Sequence, residues 1–165
     1  MLGRVWFALA ILGALVCLPM IGCSHGNRRT SLDRSLGEVR IVKQYWPDGR
    51  LRLRKQVSEQ SDGTLVNHGT YARWYDNGRK EFEATFIQGR NHGRATRWHR
   101  NGQKSVEEHY VYGKRHGTRR TWDENGVKRK EEHHVDDEPD GIWTVWDKHG
   151  RIKWQGRFDH GIPES

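Results

Sequence analysis

The sequence has little of the material from which a thick globular core is built. Only 33% of its 165 residues are hydrophobic, and that share includes the first 22 residues, which are nearly all apolar. The remainder is poor in Leu and Ile but rich in Trp, Tyr, Arg, Lys and Gly. We therefore expect no two-layer core. Aromatic rings on a thin sheet can still bury enough area, because each removes far more apolar surface from water than a methyl group.

Cysteine is also scarce, and its placement excludes several kinds of site. The chain has two cysteines, Cys17 and Cys23, both near the amino terminus. If the segment before Cys23 is cleaved and Cys23 is acylated, no thiol remains for a disulfide, a metal site or nucleophilic catalysis.

The first 22 residues are typical of an export signal. Arg4 is followed by an apolar run from Val5 to Leu18, which is too short for a comfortable membrane span and right for a signal peptide. The junction Gly22-Cys23 is similar to a bacterial lipobox, which implies cleavage and acylation of Cys23. The alternatives are an uncleaved anchor or an ordinary signal peptide with an incidental cysteine. Ser24, where the inner-membrane retention signal has Asp, indicates the outer membrane.

We divide the chain into three parts: a lipoprotein signal peptide over 1–22, a polar tether over 23–38 and a repeat domain over 39–165. The tether has no hydrophobic period, so we expect it to hold the domain away from the membrane.

The body of the chain repeats every 24 residues. A tryptophan column, two glycine columns, an asparagine column and a mostly aromatic column share this period, and one further copy lies upstream over Tyr45 to Gly49, offset by five extra residues in the loop Ser58 to Gly63. The columns are Trp74, Trp98, Trp122, Trp146; Gly78, Gly102, Gly126, Gly150; Gly69, Gly93, Gly117, Gly141; Asn77, Asn101, Asn125, with His149 last; and Phe86, Tyr110, His134, Phe158.

Each repeat has the pattern of two antiparallel strands. Asn-Gly is a strong signal for a hairpin turn, and we expect the second glycine column to close the other turn. No segment has a helical period. The prediction is an all-β fold: a single-layer antiparallel meander of about ten strands, in which tryptophans form a stripe and Lys80, Lys104 and Lys128 cover their rings.

The repeat also resembles a known family. The runs Trp74 to Arg79, Phe86 to Gly93 and Arg97 to Gln103 are similar to the bacterial variant of the MORN (membrane occupation and recognition nexus) repeat, and look most like the YwqK-type proteins, often labelled antitoxins. The resemblance covers about Tyr45 to Gly161. It implies a β-hairpin array acting as a membrane-associated, scaffolding or accessory module.

The copy that begins at Asp123 departs most from the pattern. Lys130 and His134 replace apolar or aromatic residues, and the acidic run from Asp136 to Asp140 replaces a basic turn. The sequence therefore does not determine how this hairpin packs.

Charge is unevenly spread along the chain. The formal net charge is +8, and the region from Arg90 to Lys130 has twelve Lys or Arg against four acids, whereas Glu131 to Asp140 has six acids. One interpretation is a basic band that attracts lipid headgroups, anionic glycans or an acidic partner. The other is a solvated sheet face with cross-strand ion pairs to Glu83, Glu107 and Glu131.

The ten histidines do not predict a metal site. His68, His92 and His116 recur at the repeat period, so they lie about 10 Å apart, too far to share an ion. His133 and His134 adjoin an acidic run, but adjacent strand residues point to opposite faces. We therefore expect no metal and no cofactor. We also expect no catalysis, because a catalytic pair of acids needs one distinct environment, whereas repeated acids such as Glu83 and Glu107 lie in several similar ones.

The resulting hypothesis is a lipid-anchored envelope protein that binds a protein partner or an anionic surface through its sheet. The alternative is a YwqK-like antitoxin that neutralises a cognate toxin. Export argues against a nucleic-acid partner, and the oligomeric state is left open, since a sheet with two exposed ends can pair edge to edge. The candidate binding surface comprises Trp74, Trp98, Trp122, Trp146, Arg97, Arg119, Arg120 and Lys128.

Overall fold

Residues 37–164 are described by the computed structural model, and they form one antiparallel sheet of 14 strands. The predicted signal peptide, Cys23 and most of the predicted tether lie outside the described residues. The strands are β1 (Arg40–Tyr45), β2 (Leu51–Glu59), β3 (Leu65–Trp74), β4 (Lys80–Ile87), β5 (Arg90–Asn91), β6 (Gly93–Trp98), β7 (Lys104–Val111), β8 (Lys114–Arg115), β9 (Gly117–Trp122), β10 (Lys128–Val135), β11 (Glu138–Pro139), β12 (Gly141–Trp146), β13 (Ile152–Asp159) and β14 (Ile162–Pro163).

The predicted meander is confirmed. Ten longer strands follow one another across the sheet in chain order, and the two-residue strands β5, β8, β11 and β14 each pair with the strand before them. Over residues 37–164, no helix has the length and apolar character needed to cross a membrane.

The Asn-Gly turns are three-residue loops with a glycine bulge. In the turn after β6, Gly102 N–H donates to the His99 carbonyl, and His99 N–H donates to the Gln103 carbonyl. Gly102 has φ +91, whereas Asn101 is not in the left-handed region. This is a type I turn followed by a left-handed residue. The Asn101 side chain accepts a hydrogen bond from the Gln103 N–H (3.0 Å), so it closes the turn that it occupies.

The opposite turns have a different geometry, which corrects one expectation. They are two-residue turns with both central residues at positive φ, as at Tyr112 (φ 48) and Gly113 (φ 92). The second glycine column does not close them. Gly93 (φ 84) lies instead in a bulge, in which four residues, 92–95, face only Ala84 and Thr85. Position 92, which holds a histidine or an acid in each repeat, is the first residue of this bulge.

The sheet has two solvated faces of different composition. Directly opposed residues lie on the same face, so Phe82, Ala84 and Ala95 share one face with Tyr71 and Tyr110, and form the apolar cluster of the fold. We call this the core face. The other, the tryptophan face, carries the tryptophan column. Among residues 37–164 only five hydrophobic side chains are buried, as expected of a single layer: Leu53, Val57, Phe82, Ala84 and Ala95.

Successive turns bond to one another along both margins of the sheet. At one margin, the turn amides of Gly89, Gly113, Asp137 and Gly161 donate to the carbonyls of Asn67, Asn91, Arg115 and Pro139 at 2.7–2.9 Å. At the other margin, the amide nitrogens of Asn77 and Asn101 donate to the carbonyls of Arg100 and Glu124 in the next turn. Asparagine suits positions 77 and 101 because its side chain both accepts within its own turn and donates to the next.

The five-residue insertion lengthens the hairpin formed by β2 and β3 without disturbing the sheet. β2 and β3 extend to nine and ten residues, and the loop between them closes with Gly63 N–H donating to the Gln60 carbonyl. Gln56 bridges the bulge at Gly69 by accepting from the Thr70 N–H at 2.6 Å. The insertion therefore lies at the end of a hairpin, where added residues cost little.

Candidate binding surface

The tryptophan column lies half-buried on one face, and the predicted lysines cover it. The Lys80 ammonium lies 5.4 Å from the Trp98 ring centroid, Lys104 lies 5.9 Å from Trp122, and Lys128 lies 4.9 Å from Trp146. Each lysine therefore covers the ring of the following repeat. These cation–π contacts tie neighbouring repeats together.

The tryptophan backbone is also engaged in the fold. The Tyr75 hydroxyl donates to the Trp98 carbonyl at 2.8 Å, and the His99 Nε2 atom lies 2.9 Å from the Trp122 carbonyl. Upstream, the Trp46 indole N–H donates to the Trp74 carbonyl at 3.3 Å. The backbone at the tryptophan positions is thus part of the contacts between repeats, and only part of each ring is exposed to solvent.

An acidic column runs beside the tryptophans and pairs with the same lysines. Lys80, Lys104 and Lys128 lie 2.6–3.0 Å from Glu83, Glu107 and Glu131. The hydrogen bond from Lys104 holds the pKa of Glu107 below its ordinary value. Much of the basic charge on this face is therefore compensated by ion pairs, as the second interpretation of the charge pattern expects.

The residues of the predicted surface divide between the two faces. Arg120 lies on the tryptophan face, where its Nε is 2.7 Å from Glu131, and Lys128 lies beside it. Arg97 and Arg119 lie on the core face: Arg97 stacks over the Phe82 ring at 4.7 Å, and Arg119 pairs with Glu108 and Glu132. The predicted set therefore does not form one contiguous surface.

Arg119 is the centre of a partly buried ionic network. Its guanidinium lies 3.3 Å from Glu108 and 2.5 Å from Glu132, and Lys130 contacts the other oxygen of Glu132 at 2.6 Å. Burial opposes ionisation of Glu132, but hydrogen bonds from Lys130 and Arg119 outweigh it and hold its pKa below the ordinary value. Lys130 also lies over the Trp143 ring at 5.0 Å. This network explains how the divergent copy packs.

His134 is buried in the aromatic column of the same copy. It is 2% exposed and lies 5.2 Å from the Trp143 ring, which contacts Phe158 at 4.8 Å. Burial, with a smaller contribution from Arg115, lowers the pKa of His134 below 6.5. A neutral imidazole therefore takes the place of Phe86 and Tyr110 in the column.

Between Arg90 and Lys130, three cations on the tryptophan face have no carboxylate within 4.0 Å. Eight of the twelve cations between Arg90 and Lys130 lie within 4.0 Å of a carboxylate. Among the described residues Arg90, Arg94, Arg97 and Lys114 have no such pair. Arg97 is on the core face, whereas the other three are exposed on the tryptophan face. We call Arg90, Arg94 and Lys114 the basic corner.

A shallow pocket of about 220 Å³ adjoins the basic corner. Its lining combines the Arg94 guanidinium, the Lys104 ammonium, one indole and hydroxyls with a single carboxylate, a mixture suited to a charged, hydroxyl-rich ligand. The lining residues are Glu83, Thr85, Arg94, Thr96, Trp98 and Lys104. Sequence reasoning counted Arg94 in the basic band but did not single it out. No sequence signal distinguished it, because the absence of an acid opposite Arg94 depends on the strand register, in which Arg94 pairs with His109.

The histidines occupy structural places. His68 and His92 accept long hydrogen bonds (3.4 Å) from the first N–H of the next turn, at Gln88 and Tyr112. His133 lies on the tryptophan face and His134 on the core face, as predicted. A different group, Asp140, Asp159 and His160, has ligand atoms within 4.8 Å of one another at the surface. His160 lies in this group because it makes a 2.6 Å hydrogen bond to Asp159, which also raises the pKa of His160.

Comparison with known families agrees with this geometry. The family model described as "MORN repeat variant" matches residues 91–112 and 115–136, two adjacent repeats of the sheet, the first of which contains Arg94. No curated protein matches the chain. Repeats of this type are binding or scaffolding modules, and the family is in general not enzymatic.

His134 predicts a loss of stability on acidification. Because its pKa is lowered in the folded state, the unfolded chain binds a proton more readily once the pH falls below about 6.5. Stability is fully present above that pH and decreases below it, by at most about 1.4 kcal/mol per pH unit. His134→Phe should remove this part of the dependence in urea unfolding at pH 7.5 and 5.5. The exposed control His149→Gln should retain it, and equal behaviour of the two variants would refute the assignment.

Proposed function

We propose that the protein is an exported, lipid-anchored, non-catalytic binding module whose basic corner holds an anionic surface of the cell envelope. The observation that carries this is the contrast in charge pairing. Most cations of the middle repeats are compensated, whereas Arg90, Arg94 and Lys114 remain exposed on one face, and Arg94 lines the Trp98 pocket. A cluster left unpaired in a sheet that pairs most of its charges is available to a ligand.

The chemistry of the corner favours phosphate- or carboxylate-bearing ligands. Guanidinium groups bind such anions through paired hydrogen bonds, and an ammonium adds a point charge. Arg90 and Lys114 occupy the same position in consecutive repeats, where the next copy has Glu138 and the last has Ile162. The exposed charge at this position is therefore positive in only two consecutive repeats, which suits a local contact with headgroups or anionic glycans.

The proposed anchor complements this weak contact. Acylation at Cys23 followed by the tether over 23–38 holds the domain beside the membrane. The high local concentration there makes even a weak contact of the basic corner with an anionic surface effective.

The corner is tested by neutralisation against a matched control. Full chains with Cys23→Ser are mixed with vesicles of anionic or zwitterionic lipid and with an immobilised anionic glycan. Because each basic residue contributes about 1 kcal/mol near an anionic membrane, Arg90→Gln, Arg94→Gln and Lys114→Gln together should weaken anionic binding on the order of 100-fold.

The control removes three cations elsewhere, Arg54→Gln, Lys148→Gln and Lys153→Gln, and should weaken binding by far less. Equal losses in the two triple variants would mean that net charge alone is responsible, and the corner would be abandoned. Recovery of one protein inhibited by this chain, with no vesicle or glycan binding, would favour the antitoxin alternative.

The anchor predicts a covalent lipid on one residue. Cells fed a labelled fatty acid should label the wild-type chain and leave Cys23→Ser unlabelled, with the wild type in the membrane fraction. The variant Cys17→Ser is the control and should label normally. Labelling of Cys23→Ser, or none in the wild type, would contradict acylation at this position.

A further inference from the structure

The two outer strands of the sheet are complementary in the way that neighbouring strands inside it are. β1 has six residues, as do β6, β9 and β12, and is followed by the same kind of turn. Its register with β2 repeats that of β6 with β7: Gln44 lies opposite Leu53 as Arg97 lies opposite Val106. β1 therefore has the same length, turn and register as β6, β9 and β12, the strands that pair with β4, β7 and β10 inside the sheet.

β13 is the matching acceptor at the other end. It has eight residues, as do β4, β7 and β10, and β14 pairs with it only at Phe158 and Asp159. In the interior, the equivalent edge of β4 is completed by β5 and then by β6. Within residues 37–164, nothing takes the place of β6 beside Ile152 to Gly156 of β13.

Exposure of apolar side chains shows what the missing strand would cover. Phe82 on β4 is 9% exposed because Arg97 of β6 stacks over it, whereas Trp154, at the same position on β13, is 46% exposed. Most of the exposed large hydrophobic residues of the described chain lie at the two ends of the sheet. They are Val39, Ile41 and Tyr45 at one end, and Ile142, Ile152, Trp154 and Ile162 at the other.

We propose that β13 of one copy pairs with β1 of a second copy, so that the chains assemble head to tail into a continuous sheet. The register follows from β4 and β6, in which Glu83 lies opposite Thr96 and Phe82 opposite Arg97. Gln155 then lies opposite Lys43 of the next copy, and Trp154 opposite its Gln44. No like charges meet in these pairs.

The margin contacts also continue across the junction. Ile152 takes the position from which Lys80 covers Trp98, and it meets the ring of Tyr45 in the next copy. His149 replaces Asn77 in its column, and its ring N–H provides a donor for the next turn. Because the donor and acceptor edges are different surfaces of the chain, the association is heterologous and extends without closing on a pair. It depends on neither the anchor nor the anionic ligand.

Directed disulfide formation tests the register. The full chain with Cys17→Ser and Cys23→Ser carries no other thiol, so Lys43→Cys and Gln155→Cys can be added singly or together. Facing residues of paired antiparallel strands are close enough for a disulfide. A mixture of the two single variants should give crosslinked dimers, each single variant alone should give no crosslink, and the double variant should give a ladder of crosslinked multimers.

The control moves the thiol to the other face of the strand. Gln44→Cys mixed with Gln155→Cys should crosslink at least tenfold less, because the two side chains point to opposite faces. Dimers from Gln155→Cys alone would show β13 pairing with itself and overturn the proposal. So would equal crosslinking in the control, or a sedimentation mass for the cysteine-free chain that stays at the monomer, or stops at twice it, as concentration rises.

Discussion

The hydrogen bonds between successive turns are the interaction on which this sheet depends. A single layer has no second layer against which to bury its residues, so each repeat is stabilised chiefly by its neighbours. The backbone ladder between repeats is interrupted by bulges after β5, β8 and β11, where four residues face two. The two margins make up for this interruption. Asn101 binds the next turn on one side, and the Gly113 amide donates to the preceding repeat on the other.

Because the margins hold the repeats in register, the middle of each face is free to vary. On the core face the central position changes from apolar Ala84 and Ala95, through the ionic network around Arg119, to the aromatic Trp143. Each of these side chains is accommodated by residues of the adjacent strands alone. The same freedom lets the tryptophan face carry a compensated Lys–Glu column along its length and an uncompensated basic corner in two repeats. A binding surface can therefore be built on this fold without altering what holds it together.

The period, the meander and the lysine cover of the tryptophans could be predicted from the sequence, because Asn-Gly, Trp and Lys recur in fixed register. The bulge at Gly93 could not, since a glycine column signals positive φ but does not distinguish a turn from a bulge. The division of the candidate surface was available but missed: Arg97 precedes Trp98, and adjacent strand residues point to opposite faces. The unpaired cations could be identified only from the strand register, because whether Arg94 is paired depends on the residue that lies opposite it.

The free energy of unfolding of two equivalent substitutions tests the role of the margin bonds most directly. Asn101→Asp keeps the oxygen that closes its own turn and loses the amide that donates to Glu124 at 2.6 Å. Asn125→Asp makes the same change where Asp123 closes the turn by accepting from the Val127 N–H and where, within residues 37–164, the Asn125 side chain makes no bond to the next turn. The account predicts that Asn101→Asp is less stable than Asn125→Asp by about 1 kcal/mol in urea unfolding. Equal stability of the two variants would contradict it.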